Sequence, residues 1–184
     1  MQLRFLVIPA VAGIMASLAP ALAQRPAVSP ALSPEAAAAA FNDAVIAVCV
    51  PAVSQGSIPA AARAMLQQTN DAAIRKQAGA ADDETVWDVM AGKGVVTVHE
   101  KSGRCTVSVY GPPAMATITG AATRLVDSDF ERLAGSATPN GFTQTLTRTD
   151  SGKRMMVVLK GSDPGLPGHQ SRFSVVTATV FSAP

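Results

Sequence analysis

The chain has 184 residues, with 15 Lys and Arg against 13 Asp and Glu, and aromatic residues make up only 4% of it. So even a charge balance gives no long-range field to gather polyanions. So few aromatics leave little to build the stacking platforms on which single-stranded nucleic acid and sugars are usually held. Nucleic acid is therefore not an expected partner, and no cofactor motif is legible.

The first residues read as an address. Met1-Gln2-Leu3-Arg4 carries one positive charge, an apolar run follows from Phe5 to Leu18, and Ala19-Pro20-Ala21-Leu22-Ala23 places small residues as in an A-x-A cleavage site. Residues 1–23 are expected to be a secretion signal that is removed. The run is short for a spanning helix, and no later stretch reads as long and apolar enough to cross a bilayer. Gln24, not a cysteine, would follow the cut, so a lipoprotein is not expected. Removing the signal takes Arg4 with it and leaves 14 basic residues against 13 acidic. About 160 residues would remain, enough for one domain with its own core. The expected location is the periplasm or the extracellular medium.

Residues 24–33 lack apolar periodicity and are expected to form a flexible leader; residues 34–184 are expected to form a single domain. Ser33, Pro34 and Glu35 are a cap, a first-turn proline and a dipole-compatible acid at the start of a first helix. Phe41, Val45 and Val48 trace its apolar stripe, Cys49 adjoins it, and Pro51 is expected to end it. A second helix is predicted after Ser57, with Ala62, Met65, Leu66, Thr69 and Ala73 on one face. The segment Thr85–Met90 suits either a short helix or a strand, with Trp87 at the edge of the core.

From Val95 to Val109 the sequence predicts a hairpin turning at Lys101-Ser102-Gly103, with Cys105, Val107 and Val109 on its buried side. A third helix is predicted over Ala114–Leu125, and one further helical turn near Asp127–Ser136. Three strands finish the chain: Phe142–Thr149, Arg154–Lys160 and Arg172–Phe181. No internal repeat is evident. The predicted fold is α+β: an antiparallel sheet of about five strands with the helices on one face, in the order α-α-β-β-α-β-β-β.

Two cysteines admit three readings. A catalytic thiol needs a nearby base and an environment that favours thiolate, whereas a valine-flanked cysteine is suppressed as a nucleophile. A metal site needs three or four clustered ligands, and Cys49, Cys105, His99 and His169 are scattered. An exported pair on two apolar faces that must meet is expected to form a disulfide, Cys49–Cys105.

The remaining polar clusters read as ordinary loops. Asp82-Asp83-Glu84 lacks calcium-loop spacing, and His99 and Glu100 should point to opposite faces of a strand. The proline- and glycine-rich segment 161–170 is long for a strand connection and supplies a candidate binding loop, with Asp163, His169 and Gln170. The function these features favour is a non-enzymatic binding or interaction module of the cell envelope, taking a protein partner or a small apolar ligand. The alternative is a small hydrolase using His99 or His169.

Overall fold

In the computed structural model, residues 33–89, 95–101, 103–150, 152–167 and 171–183 are described; they fall within one compact unit, 32–184. The expected signal, nearly all of the expected leader, His169 and Gln170 lie outside them. Helix α1 (Pro34–Gln55) starts where the caps place it, with the Ala36 N–H donating to Ser33 Oγ at 3.2 Å. Phe41, Val45, Val48 and Cys49 are all buried. Pro51 does not end the helix, because residues Val45–Cys49 widen into a π turn, and the Val50 N–H reaches back to the Val45 carbonyl. That local shift in register accommodates a proline without its N–H, and α1 bends rather than stops. At 22 residues and mean hydropathy 1.8, α1 is also long and apolar enough to cross a membrane, contrary to the sequence expectation. Here its apolar stripe packs on the sheet.

The predicted second helix does not form as one element. It splits into α2 (Ala60–Arg63), a two-residue strand β1 (Gln67–Gln68) and α3 (Ala72–Ala78), whose Asp71 cap accepts the N–H groups of Ala73 and Ile74. Then follow β2 (Thr85–Asp88), β3 (Val96–Lys101), β4 (Arg104–Tyr110), α4 (Ala114–Val126), β5 (Glu131–Thr138), β6 (Gly141–Asp150), β7 (Lys153–Ser162) and β8 (Val175–Ala183). Thr85–Asp88 is thus a strand, and the helical turn expected beyond Asp127 gives way to β5.

All eight strands form one antiparallel sheet in the order β1-β2-β3-β4-β8-β7-β6-β5. The five-stranded fold with its stated helix order is therefore wrong. Four helices, one of them bent, accompany eight strands among the described residues. The shortfall arose at β1, β2 and β5, which lack the clean alternation of a half-buried strand. The strand order also reveals a repeat of architecture: a helix then a four-stranded meander, twice, with the last strands β4 and β8 meeting in the middle.

Helices α1 and α4 cover one face, burying Val96 and Val98 of β3, Cys105, Val107 and Val109 of β4, Val176, Ala178 and Val180 of β8, and Met155, Val157 and Leu159 of β7. Gly161 lets α4 sit directly on β7; a Cβ there would lie 2.8 Å from Ile118 Cδ1 and 2.9 Å from Ala114 Cβ. Gly120 serves the crossing of the two helices, where an added Cβ would lie 3.3 Å from Asn42 Nδ2. One turn on, Arg124 and Asp43 form an ion pair at 2.6 Å.

Cys49 and Cys105 are bonded, with Cα atoms 5.2 Å apart and a separation of 56 positions in sequence. The bond joins α1 to β4, as the apolar patterns of both segments require. Closing a loop of this length restricts the unfolded chain by about 4 kcal/mol in the chain-entropy account. A Cys49→Ala/Cys105→Ala protein is therefore expected to lose about 4 kcal/mol of unfolding free energy, measured by urea titration; an unchanged midpoint would refute that role.

Candidate functional site

The sheet's second face is polar, and the strand register organises it into transverse rows. Directly paired residues point to the same side, so one row runs Asp88, Thr97, Ser108, Thr177, Lys160, Thr143 and Ser136 from β2 to β5. The next runs Val86, His99, Thr106, Thr179, Val158, Thr145 and Ala134. Asp88, Thr97, His99, Thr106 and Ser108 are nonetheless buried. Thr106 and Thr179 join hydroxyls at 3.3 Å, whereas Thr97 Oγ1 has no partner among the described residues.

The cover is α3 with the loop after it, so the helices do not all lie on one face. Its attachment is a latch of side chains. His99 Nδ1 donates to Glu84 Oε2 at 2.8 Å, with both side chains largely buried. Glu84 Oε2 also accepts the Ala81 N–H at 2.8 Å. Lys101 pairs with Asp83, and the Tyr110 hydroxyl donates to the Gln77 carbonyl. Arg75 stiffens the loop by donating to the carbonyls of Ala81 at 2.7 Å and Glu84 at 3.1 Å. The spacing explains the geometry. His99 and Lys101 lie two residues apart and share a face, and the adjacent acids Asp83 and Glu84 reach both.

Burial pushes the Glu84 carboxyl up, but the Ala81 N–H, the His99 hydrogen bond and the positive charges of His99 and Arg104 outweigh it and hold the group below its ordinary value. A depressed carboxyl contributes stability above its unfolded pKa and loses it as pH falls through the folded value. The latch is therefore expected to loosen on acidification below the ordinary carboxylate range. Hydrogen exchange of residues 71–84 should accelerate there more than exchange of β7. A Glu84→Gln protein that keeps the same acid response would refute the assignment.

The other sequence candidates are dispersed. Glu100 lies on the helix-covered face, away from His99; burial pushes its carboxyl up and Arg63 only partly offsets this. Asp163 Oδ1 accepts the Ala114 N–H at 2.9 Å and so caps α4. Trp87 packs at the core edge beneath the Arg63 guanidinium, 5.9 Å from its ring centre. Among the described residues, no group of three or more His, Cys, Asp or Glu side chains could hold a metal ion.

Beyond the latch the polar face is open, and the sheet's far edge is bare. All eight residues of β5 are exposed. The first of them, Glu131, pairs with Thr147, so β6 runs on through Arg148, Thr149 and Asp150 without a β5 partner. This step in the edge forms a notch of about 770 Å³ lined by Asp129, Glu131, Thr147, Arg148, Thr149, Asp150 and Arg154. Neither the notch nor the bare edge was anticipated from sequence.

No protein-family model, curated protein or solved structure matches this chain. The disulfide and the signal-like first residues support a location outside the cytoplasm.

Proposed function

We propose that this is a non-enzymatic binding module of the periplasm or the extracellular medium, and that it takes an extended segment of a protein partner as a ninth strand beside β5. The observation that carries this reading is the exposure of β5 along all eight residues at the edge of a continuous sheet. Such an edge offers a row of unpaired main-chain groups, and strand addition draws its affinity from them. The opposite edge, β1, is two residues long and offers little. Glu131, Arg132 and an irregularity between Arg132 and Ala134 guard only one end of β5. From Ala134 to Thr138 the side chains are small and uncharged, so a second backbone can approach. A protein segment is favoured over an apolar ligand between helices and sheet because Gly161 brings α4 into direct contact with β7 there.

Octapeptides with blocked termini, selected for binding from a random library, are expected to slow amide exchange in β5 about tenfold when present at ten times their dissociation constant. Binders that protect other segments and leave β5 untouched would overturn the reading.

A second reading, a small hydrolase, is favoured by the His99–Glu84 pair beside the Thr106 hydroxyl, since a carboxylate-oriented imidazole is the usual activator of a nucleophile. It requires the flap formed by α3 and residues 79–84 to open, because His99 is only 6% exposed. Hydrolysis of an ester panel that a His99→Ala protein loses would replace the binding reading with this one.

A further inference from the structure

We propose that the notch beside β6 binds a compact zwitterion, a ligand that carries a carboxylate and an ammonium close together as a free amino acid does. The site is separate from strand addition along β5 and would stand without it. Its argument begins with Arg154. This residue pairs in register with Thr149 on β6, yet its Nε donates at 3.1 Å to Thr147, one position back along the same face. The side chain is thus drawn diagonally toward the row that holds Glu131, the partner of Thr147 on β5. Its two terminal nitrogens are left without an acceptor among the described residues.

Two of the three acids in the notch are equally unengaged. The carboxylates of Asp129 and Glu131 have no ion-pair or hydrogen-bond partner among the described residues. Arg154 and Glu131 therefore line one cavity from neighbouring rows without closing on each other. An arginine fork is suited to a carboxylate, and two nearby carboxylates suit an ammonium. A ligand carrying both charges satisfies both halves together, whereas a plain anion meets the repulsion of Asp129 and Glu131.

The wall behind these groups is rigid. The Arg148 guanidinium stacks over the buried Phe130 ring at 4.7 Å, donates to the Ser128 carbonyl at 3.0 Å and lies 3.4 Å from Asp150. The terminal nitrogens of that arginine are engaged, so among the described residues Arg154 is the cation of the notch whose terminal nitrogens remain open. The volume, about 770 Å³, lies within the range of small-molecule sites.

The test is a titration of the folded full domain, followed by amide chemical shifts, with a panel of free amino acids and with acetate, ethylamine and inorganic phosphate as separate probes. At least one amino acid is expected to shift the amides of Asp129, Glu131, Thr149 and Arg154. It should bind roughly tenfold or more tightly than acetate or ethylamine, since each of these offers only one of the two charge-assisted contacts. Arg154→Gln and Glu131→Gln are exposed, conservative changes, and each is expected to weaken binding by a similar factor with the circular dichroism unchanged. Phosphate or acetate binding as tightly as any amino acid would overturn the proposal in favour of a simple anion site. Absence of any shift in the notch at about 20 mM of every amino acid, well into the range of weak ligands, would also overturn it. So would undiminished binding by both variants. Blocked peptides that protect β5 while amino acids leave the notch unmoved would preserve the strand-addition reading and dismiss this one.

Discussion

Cys105 sits on the strand that joins the two halves of the sheet, and its bond to Cys49 fixes α1 over that junction. β4 pairs with β3 on one side and β8 on the other, so its inner face is the middle of the core. Val107 and Val109, on the same face, are fully buried against the stripe of α1. The bond therefore does more than close a loop. It sets which end of α1 lies over the central strands, and the π turn around Cys49 allows the helix to bend there. The second helix then finds its place by packing, with Gly161 beneath it and Gly120 against α1.

The parts of this arrangement that sequence pattern can express were legible, and the rest were not for identifiable reasons. Ser33 and Pro34 announce α1, and the alternation of Cys105, Val107 and Val109 announces the buried side of β4. The hairpin turns at Gly103 and Gly152 are similarly plain. In contrast, Glu131–Thr138 contains a charged pair, a glycine and two alanines, because an edge strand exposed along its whole length buries nothing that would impose alternation. The run Ala62, Met65, Leu66, Thr69, Ala73 matches helical spacing, yet only Ala62 of these is buried. Its periodicity meets the core only at Ala62 and Leu66, and beyond Leu66 the chain turns to supply β1. Pro51 misled because the usual penalty of proline in a helix assumes an unbroken α ladder, and the π turn removes that assumption.

Threonine and serine on the second face misled in a different way. Hydroxyl residues at alternate positions of a strand normally mark a wet surface, and on β6 the threonines are at least partly exposed. On β3 and β4 the same pattern is buried, because a flap lies over it. Thr97, with no exposure and a hydroxyl that has no hydrogen-bond partner among the described residues, shows what that burial costs. The His99–Glu84 and Lys101–Asp83 contacts are what hold the flap over a face that has little apolar attraction to offer it. The candidate site thus could not be read from strand chemistry alone; it required knowing where residues 71–84 go.

The two halves of the molecule share a plan but differ in one connection, and that difference decides which surfaces remain available. In the first half, residues 56–84 lie between α1 and β2 and include the short β1. They run from the helix-covered side, where Ile58 and Ala62 join the core, past the sheet edge at β1, to the polar side where Glu84 meets His99. This single excursion blunts one edge and covers half of one face. In the second half, only residues 127–130 separate α4 from β5, too few to reach either place. The meander of that half is consequently left with its edge strand unpaired, its polar face open and a step where β6 outruns β5. The exposed edge and the notch are therefore not independent accidents of surface composition. Both follow from a helix-to-strand connection too short to cover its own half, which is why the binding surfaces proposed here lie on one side of the junction that Cys105 anchors.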